Sequence, residues 1–289
     1  MAGLEDRPGE SDFKFDEIGY WSEIKLEIVK KYARAYSTIL AKQPGISHAY
    51  IDGFAGPGVH LTRETHEFVP GSPLNALRID PPFHEYFLID LDGDKVEQLR
   101  SFPEVRQRPE VHVLQGDCNF VLLNEVLPRV RWEDYRRGLC LLDPYGLQLN
   151  WEVIEKAGRM KSIDIFLNFP IMDMNRNVLW HDPEGVSEAG AKRMTAFWGD
   201  ESWRKIAYKP DPQQRLFGEQ PHKKVGNEEV VAAFRERMKE VAGFKYVAEP
   251  MPMRNSKNAV VYYLLFASQK TVATNIVEEI FKKYKDRRG

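Results

Sequence analysis

Short apolar runs alternate with amphipathic segments along most of the chain, and each run leads into a polar residue. The five runs end at or beside Asp52, Asp90, Asp117, Asp143 and Asn168. Buried parallel strands appear in a sequence as nearly continuous apolar runs, and the helices between them cover both faces of the sheet. The pattern therefore predicts an α/β fold, a doubly wound and mostly parallel sheet of the Rossmann-like type.

The two ends of the chain and one internal stretch depart from this alternation. Residues 21–40 carry apolar side chains at three- and four-residue steps, which predicts an amphipathic helix. Near the other end, two apolar runs at 246–253 and 260–267 enclose a polar turn and predict an antiparallel hairpin, followed by a basic helix. Residues 173–243 are rich in Trp, Arg, Asn and Pro and show one clear helix, so we interpret them as an insertion.

These patterns divide the chain into four segments. We expect an N-terminal tail and helix at 1–45, a Rossmann-like core at 46–172, a helical insertion and candidate substrate-recognition lid at 173–245, and a C-terminal hairpin and helix that complete the core at 246–289.

Composition excludes several classes of protein. The formal net charge is −2, from 41 basic and 43 acidic residues, so any surface for a polyanion must be local. Cys118 and Cys140 are too few for a disulfide framework or a four-cysteine metal site. No apolar run approaches the roughly 20 residues of a membrane span, and the acidic N-terminus does not look like a signal peptide. We expect a cytoplasmic protein that holds no metal and no membrane anchor.

The most informative motif is Asp52-Gly-Phe-Ala-Gly-Pro-Gly58, directly after the first apolar run. Its glycines let the backbone take positive φ and approach a ligand closely. A turn at the carboxyl end of a first parallel strand is where doubly wound sheets bind nucleotides. The spacing differs from both G-x-G-x-x-G and the phosphate loop. It resembles the first motif of S-adenosylmethionine (SAM) methyltransferases, most closely those that act on nucleic acids.

Five pieces spread over most of the chain can be compared with a known family, namely Ile24–Tyr32, Asp52–Gly58, Pro70-Gly-Ser-Pro73, Leu142-Asp-Pro-Tyr-Gly146 and Tyr262–Ser268. Together they resemble one methyltransferase-like family, the three-Cys-motif partner proteins (TcmP). The resemblance implies a SAM-dependent methyltransferase sheet and raises the possibility of a three-Cys-motif enzyme as partner.

The resemblance also implies how SAM is bound. The glycine turn would pass under the methionine end, either Asp90 or Asp92 would accept hydrogen bonds from the ribose, and Asp117 would accept the adenine amino group. The cofactor-binding residues implied in this way are Asp52, Gly53, Phe54, Ala55, Gly56, Gly58, Asp90, Leu91, Asp92, Asp117 and Cys118.

The reaction is indicated by the sequence that follows the fourth apolar run. Asp143-Pro-Tyr-Gly146 is similar to the Asp/Asn-Pro-Pro-Tyr/Phe motif of enzymes that methylate exocyclic amines of bases, although it lacks the second proline. By that resemblance Asp143 and the carbonyl of Pro144 would hold the amine, and Tyr145 would stack on a flipped base. We expect Asn168 to contribute to the same pocket.

Several alternatives remain open at this stage. The substrate is expected to be RNA or DNA, but a small molecule or a protein fits the same sheet, since fold does not fix function. A non-catalytic partner protein is a third hypothesis. Cytosine C5 methylation is disfavoured because neither cysteine follows a proline. The insertion mixes cations with tryptophans, as single-strand binders do, but a packed lid with a charged outer face is the competing interpretation.

Overall fold

The computed structural model of the protein describes residues 16–210, 222–255 and 257–285. The strands are β1 (Asp16–Ile18), β2 (Ser47–Asp52), β3 (Val59–Thr62), β4 (Phe68–Pro70), β5 (Glu85–Asp90), β6 (Val111–Gln115), β7 (Arg136–Leu142), β8 (Ile163–Phe169), β9 (Tyr208–Pro210), β10 (His222–Lys224), β11 (Tyr246–Val247), β12 (Met251–Arg254) and β13 (Val260–Ser268).

The helices alternate with the longer strands. They are α1 (Tyr20–Leu40), α2 (Ser72–Leu77), α3 (Gly93–Ser101), α4 (Pro103–Arg106), α5 (Cys118–Val121), α6 (Trp151–Met160), α7 (Ile171–Asn177), α8 (Glu188–Trp198), α9 (Ser202–Ala207), α10 (Asn227–Glu240) and α11 (Thr271–Lys285).

The central sheet confirms the predicted fold class. Within the described residues it has eight strands in the order β11-β13-β8-β7-β2-β5-β6, and β12 pairs with β13 beside β11. The pairs among β6, β5, β2, β7 and β8 are parallel, whereas β13 is antiparallel to β8 and to both short strands beyond it. The fold is therefore a doubly wound, mostly parallel sheet that ends in an antiparallel hairpin.

The sheet places a switch point at its centre. Strand β2 is flanked by β5 on one side and β7 on the other, and Asp52 pairs in register with Leu88 and Leu141. The chain runs from β2 to β5 and β6 on one side and then returns to β7 and β8 on the other side. In such sheets the crevice beyond the carboxyl ends at this point is where ligands bind.

Two hydrophobic clusters cover the two faces of the sheet. Helices α1, α2 and α11 pack on one face, where Ile28 and Val277 are fully buried. Helices α6, α8 and α10 pack on the other, around Phe169 and Phe234. Because the strands are buried on both faces, their sequences are apolar throughout rather than alternating.

A small sheet covers the edge that carries the glycine turn, and the sequence did not predict it. The elements predicted above include no strand directly after Gly58, but β3 and β4 form an antiparallel pair there, and β1 adds to β3 in parallel. Strands of three or four residues carry little periodicity of their own. They form here because each pairs with a neighbour, which for β1 lies more than 40 residues away in the sequence.

The insertion packs into the core. Besides the predicted helix α10 it contains α7, α8 and α9, and the side chains of Phe197, Trp198 and Trp203 are buried against α6 and α10. The predicted hairpin is present, but its first strand is divided into β11 and β12. Residues 211–221 of the insertion, together with Ser256 in the hairpin turn, lie outside the described residues.

Candidate functional site

The glycine turn is held between the two strands that flank β2. The backbone N–H of Gly53 donates to the carbonyl of Leu141 on β7, at 2.9 Å, and that of Ala55 donates to Ile89 on β5, at 2.8 Å. Gly56 then takes φ +64° and Gly58 takes φ +88°, in the left-handed region that favours glycine. The turn therefore crosses the carboxyl edge of the sheet at the switch point.

The glycines of this turn serve different purposes. A Cβ at Gly53 would lie 2.9 Å from the Cys118 sulfur, and one at Gly58 would lie 2.9 Å from the Leu99 side chain. Close packing therefore requires glycine at both positions. A Cβ at Gly56 would meet nothing nearer than His60, at 3.8 Å. Both Gly56 and Gly58 are predicted to lie against a ligand, and of these two Gly56 lines the polar cavity described below.

Asp52, at the end of β2, holds the turn through hydrogen bonds. Its carboxylate is fully buried and accepts hydrogen bonds from the Phe54 backbone at 3.2 Å and the Tyr50 hydroxyl at 3.3 Å. Burial raises the pKa of Asp52 to about 7, against the lowering effect of its hydrogen bonds with Ser72, Phe54 and Tyr50. Asp52 thus holds the turn rather than facing solvent.

The acids at the next strand end differ in what they contact. Asp90 is nearly buried, and its two oxygens accept from the backbone N–H of Gly56, at 2.8 Å, and of Asp92, at 2.9 Å. Asp92 caps helix α3 by accepting from the Asp94 N–H at 2.9 Å and is more accessible. Asp90 therefore ties β5 to the glycine turn, whereas Asp92 has more room for a ligand.

Exposed apolar side chains lie beside these acids. Leu91, directly after β5, is 67% exposed, and Phe120, in the first turn after β6, is 62% exposed. Asp117 is exposed between them in the sequence and caps α5 by accepting from the Phe120 N–H at 3.0 Å. The side chain of Cys118 is buried behind the turn, and burial raises the pKa of its thiol. This thiol is not a nucleophile for the site.

The predicted catalytic residues Asp143 and Asn168 are in direct contact. The Asn168 amide nitrogen donates to Asp143 Oδ1 at 2.7 Å, and the other carboxylate oxygen forms an ion pair with Lys25 of α1. Within the described residues, the buried Asn168 Oδ1 atom has no hydrogen-bond partner. Burial acts to lower the pKa of the Lys25 ammonium, but Asp143 and Tyr262 raise it well above its usual value, so Lys25 stays charged.

The next two residues of the motif lead to the mouth of the site. Pro144 and Tyr145 line the cavity, and Tyr145 is 58% exposed. The Tyr145 hydroxyl donates to Asp16 of β1 at 3.1 Å, and Lys95 of α3 donates to the same Asp16 oxygen at 2.7 Å. The N-terminal strand therefore joins both sides of the mouth.

One polar cavity of about 440 Å³ brings these groups together. It is bordered by the glycine turn, the Asp143 motif, α1 and the small sheet. Its lining includes Asp16, Ser22, Lys25, Phe54, Ala55, Gly56, His60, Arg63, Ser72, Asp143, Pro144, Tyr145, Asn168 and Tyr262. Asp90, Asp92, Asp117 and Cys118 lie on neighbouring strand ends outside this lining.

A second cavity, of about 490 Å³, lies at the opposite edge of the sheet between α1 and α11. It contains Asp164 and Trp132 but none of the residues predicted from the glycine turn or from the Asp143 motif. We place the candidate site in the polar cavity because the strand ends and the switch point meet there.

Sequence reasoning missed Lys25, Asp16, Lys95 and the role of His60. Lys25 carried a signal, because it lies three residues before Ile28 on the apolar stripe of α1, where a charged side chain is unexpected. Asp16 and Lys95 carried none, since their contact depends on the unpredicted strand β1. His60 borders the cavity, where its buried Nδ1 atom has no partner within the described residues.

Two further properties bear on the kind of site. In the part of the chain that the structure describes, no group of three or more His, Cys, Asp and Glu side chains is arranged to hold a metal ion. Over the same residues, none of the helices combines the length and the apolar character needed to cross a membrane.

Comparison with known proteins finds similar folds. No protein-family model matches the sequence, and no curated protein matches it either. Among solved structures, protein LPL1258 from Legionella pneumophila matches with a TM-score of 0.50 and 11% identity, over 90% of this chain and 92% of that one. The N-terminal domain of EvdMO1, crystallised with SAH and D-fucose, matches with a TM-score of 0.42 and 13% identity, over 84% of each chain.

The methyltransferase domain of METTL16 also matches, with a TM-score of 0.38 and 10% identity, over 83% of this chain and 66% of that one. At such low identity, the similarity to LPL1258 concerns the fold alone. The chain thus has a Rossmann-like α/β fold with a polar cavity at the carboxyl edge of its parallel sheet.

Proposed function

We propose that this protein is a SAM-dependent methyltransferase that methylates a nitrogen, an exocyclic base amine in RNA or DNA. The observation that carries the proposal is the position of Asp143 in one cavity with the turn residues Phe54 to Gly56. A turn able to approach a cofactor and a carboxylate able to hold an amine thus border the same space. Membership of the TcmP family, which the sequence resembles, is part of the same proposal.

The residues at the strand ends fit SAM. Gly56 leaves room beside the turn for the methionine end, and Asp92 is the more accessible of the two acids proposed for the ribose. Asp117, with the exposed Leu91 and Phe120 near it in the sheet edge, offers a carboxylate and apolar surface for adenine. When bound, SAM supplies an electrophilic methyl group on a sulfonium sulfur.

The acceptor amine would be held by Asp143 and Asn168. An amine N–H can donate to the Asp143 carboxylate and to Asn168 Oδ1, the buried acceptor without a partner. Lys25 fixes one carboxylate oxygen and balances its charge, so Asp143 would orient the amine, and the proton that the nitrogen must lose after methyl transfer would be released to solvent. Such positioning is a large contribution that a protein can make to a direct transfer. Tyr145 offers an exposed ring on which a base can stack.

The structure also favours a second candidate substrate, a small molecule. Two of the tryptophans that we considered for nucleic-acid binding, Trp198 and Trp203, are core residues. The insertion therefore offers fewer stacking surfaces than its sequence indicates, although Arg176, Lys192 and Arg193 are exposed. The third hypothesis, a non-catalytic partner protein, predicts an Asp143 remote from any cavity, so the position of Asp143 supports an enzyme.

Isothermal titration with SAM and its demethylated product tests the cofactor, and a wild-type protein that binds neither would overturn the proposal. Transfer of labelled methyl groups to RNA, DNA and pooled metabolites then tests the substrate. We expect Asp143→Ala to lose turnover by about a hundredfold or more while keeping most of its affinity for SAM, because the contact is made with the acceptor. Equal turnover in this variant would place the acceptor elsewhere.

A further inference from the structure

An ion pair lies directly above the glycine turn. Lys95 Nζ is 2.7 Å from Asp16 Oδ2, and that oxygen is 4.0 Å from the position that a Cβ at Gly56 would occupy. The Tyr145 hydroxyl is 3.1 Å from the same oxygen and 3.3 Å from Lys95 Nζ. The three polar groups therefore form one cluster beside the residue whose missing side chain opens the cavity.

The cluster is built by parts of the chain that converge only in the fold. Strand β1 brings Asp16 opposite His60 by pairing with β3, which follows the glycine turn. Lys95 lies in the first turn of α3, directly after the acids at the end of β5. The side chain of Lys95 is only 12% exposed and that of Asp16 is 34% exposed. Ion pairs between fully exposed side chains contribute little, whereas this pair is largely shielded from solvent.

Asp16 and Lys95 are complementary to an amino-acid headgroup. The methionine end of SAM carries one ammonium and one carboxylate at neutral pH. If the headgroup enters between the two side chains, Asp16 exchanges the Lys95 ammonium for the ligand ammonium, and Lys95 takes the ligand carboxylate. Each charged group therefore keeps a partner of opposite charge. The hydrogen bonds formed are charge-assisted, and such bonds are stronger than those between neutral groups. The flexible stem of Lys95 allows this exchange.

We propose that Asp16 and Lys95 bind the ammonium and the carboxylate of the methionine end of SAM, so that strand β1 is part of the cofactor site. This rests on the proposed function. The other Lys, Arg, Asp and Glu side chains that line the cavity are already paired, Lys25 with Asp143 and Arg63 with Glu17, which leaves Asp16 and Lys95 to the headgroup.

Three related ligands separate the two roles. SAH carries the whole headgroup, decarboxylated SAM keeps only the ammonium, and methylthioadenosine lacks the headgroup. We expect Asp16→Asn to lower the affinity for SAH and for decarboxylated SAM by about 10- to 100-fold, the usual effect of removing a charged hydrogen bond. Lys95→Met is expected to lower the affinity for SAH to the same extent and to leave that for decarboxylated SAM unchanged. Neither variant should change the affinity for methylthioadenosine, measured by calorimetry.

Matched variants remove a surface ion pair elsewhere. Asp134→Asn breaks the contact with Arg131, and Lys239→Met breaks the contact with Glu236; both should bind all three ligands as wild type does. The conservative changes Asp16→Glu and Lys95→Arg keep the charges and should restore most of the affinity for SAH, provided that thermal melting shows a folded protein.

The outcomes distinguish this inference from the proposed function. A wild type that binds none of the three ligands overturns both. A wild type that binds SAH, with variants that bind it equally well, overturns only the roles of Asp16 and Lys95. Variants that lose methylthioadenosine and SAH to the same degree would show that the cluster merely supports the fold, which also overturns the inference.

Discussion

The ammonium of Lys25 is ion-paired with the carboxylate of Asp143, although the two residues are 118 positions apart in the sequence. Lys25 comes from the helix that precedes the sheet, and Asp143 follows the strand next to the central one. The pair thus fixes the N-terminal helix against the strand end where chemistry is proposed. It also means that the charge of Asp143 is balanced before any substrate binds.

We predict that this pair stabilises the fold in a strongly coupled way. Lys25→Met leaves a carboxylate without its cation in a site that is only 28% exposed, and removing one partner of a buried pair costs about 3 kcal/mol. The double variant Lys25→Met, Asp143→Asn leaves no charge unpaired. Its loss of unfolding free energy, measured by urea denaturation, should be at least about 1 kcal/mol smaller than the sum of the two single losses. Additive losses would show that the pair is not formed.

A second prediction concerns the open space at Gly56. Gly56→Leu should abolish SAM binding while the protein stays folded, because the new side chain would project into the cavity without meeting the core. Gly45 supplies a matched control, since it also has positive φ, at +79°, and no neighbour within 4 Å of its Cβ position. Gly45→Leu carries the same backbone strain, about 1 kcal/mol, and should bind SAM normally in a thermal-shift or calorimetric assay. Equal binding by both variants would remove the turn from the cofactor site.

The sequence predicted the parallel sheet well because its strands are buried on both faces. The run from Glu85 to Asp90 is apolar inside and polar at its end, so both the strand and the edge of the sheet could be located. The small strands β1, β3 and β4 could not be predicted, because sequences this short show little periodicity. These strands form because they pair with one another. The Asp16 contacts depend on that pairing and were missed for the same reason.

The tryptophans of the insertion were ambiguous for a different reason. Trp198 and Trp203 lie among charged residues, a pattern that suits both a nucleic-acid surface and a packed amphipathic helix. Only the tertiary packing against α6 and α10 distinguishes these cases, and it makes both side chains part of the core.

The third prediction is a pH dependence that originates at Asp52. Burial raises the pKa of Asp52 from 3.8 to about 7 in the folded protein. The protonated form is therefore favoured by folding, and this contribution to stability is complete below about pH 4 and is lost as the pH rises through 7. Asp52→Asn cannot ionise. Because only wild type loses this contribution, the unfolding free energy of Asp52→Asn minus that of wild type should be larger at pH 8 than at pH 5, by about 2 to 3 kcal/mol.

Urea denaturation of both proteins at the two pH values measures this difference. Asp164, whose pKa burial raises to about 6, gives the same trend in both proteins and cancels in the comparison. A stability difference between Asp52→Asn and wild type that is equal at pH 5 and pH 8 would contradict the assignment.

The last prediction tests whether the substrate is a nucleic acid. The exposed cations of the insertion nearest in sequence to the Asn168 strand end are Arg176, Lys192 and Arg193. Replacing all three with alanine should weaken RNA or DNA binding and flatten its salt dependence. Each lost phosphate contact lowers the slope of log affinity against log salt by about one. The affinity for SAM should not change, because its proposed residues lie outside the insertion.

A matched variant removes the same amount of charge from the exposed surface of the N-terminal helix and the turn after it. Replacing Lys30, Arg34 and Lys42 with alanine changes the net charge equally but leaves the insertion intact. If general electrostatic attraction were responsible, both triple variants would lose affinity to the same extent. Selective loss in the insertion variant, measured by fluorescence anisotropy at several salt concentrations, supports the nucleic-acid substrate. A wild type that binds neither RNA nor DNA at low salt would favour the small molecule, whose recognition needs only the polar cavity around Asp143.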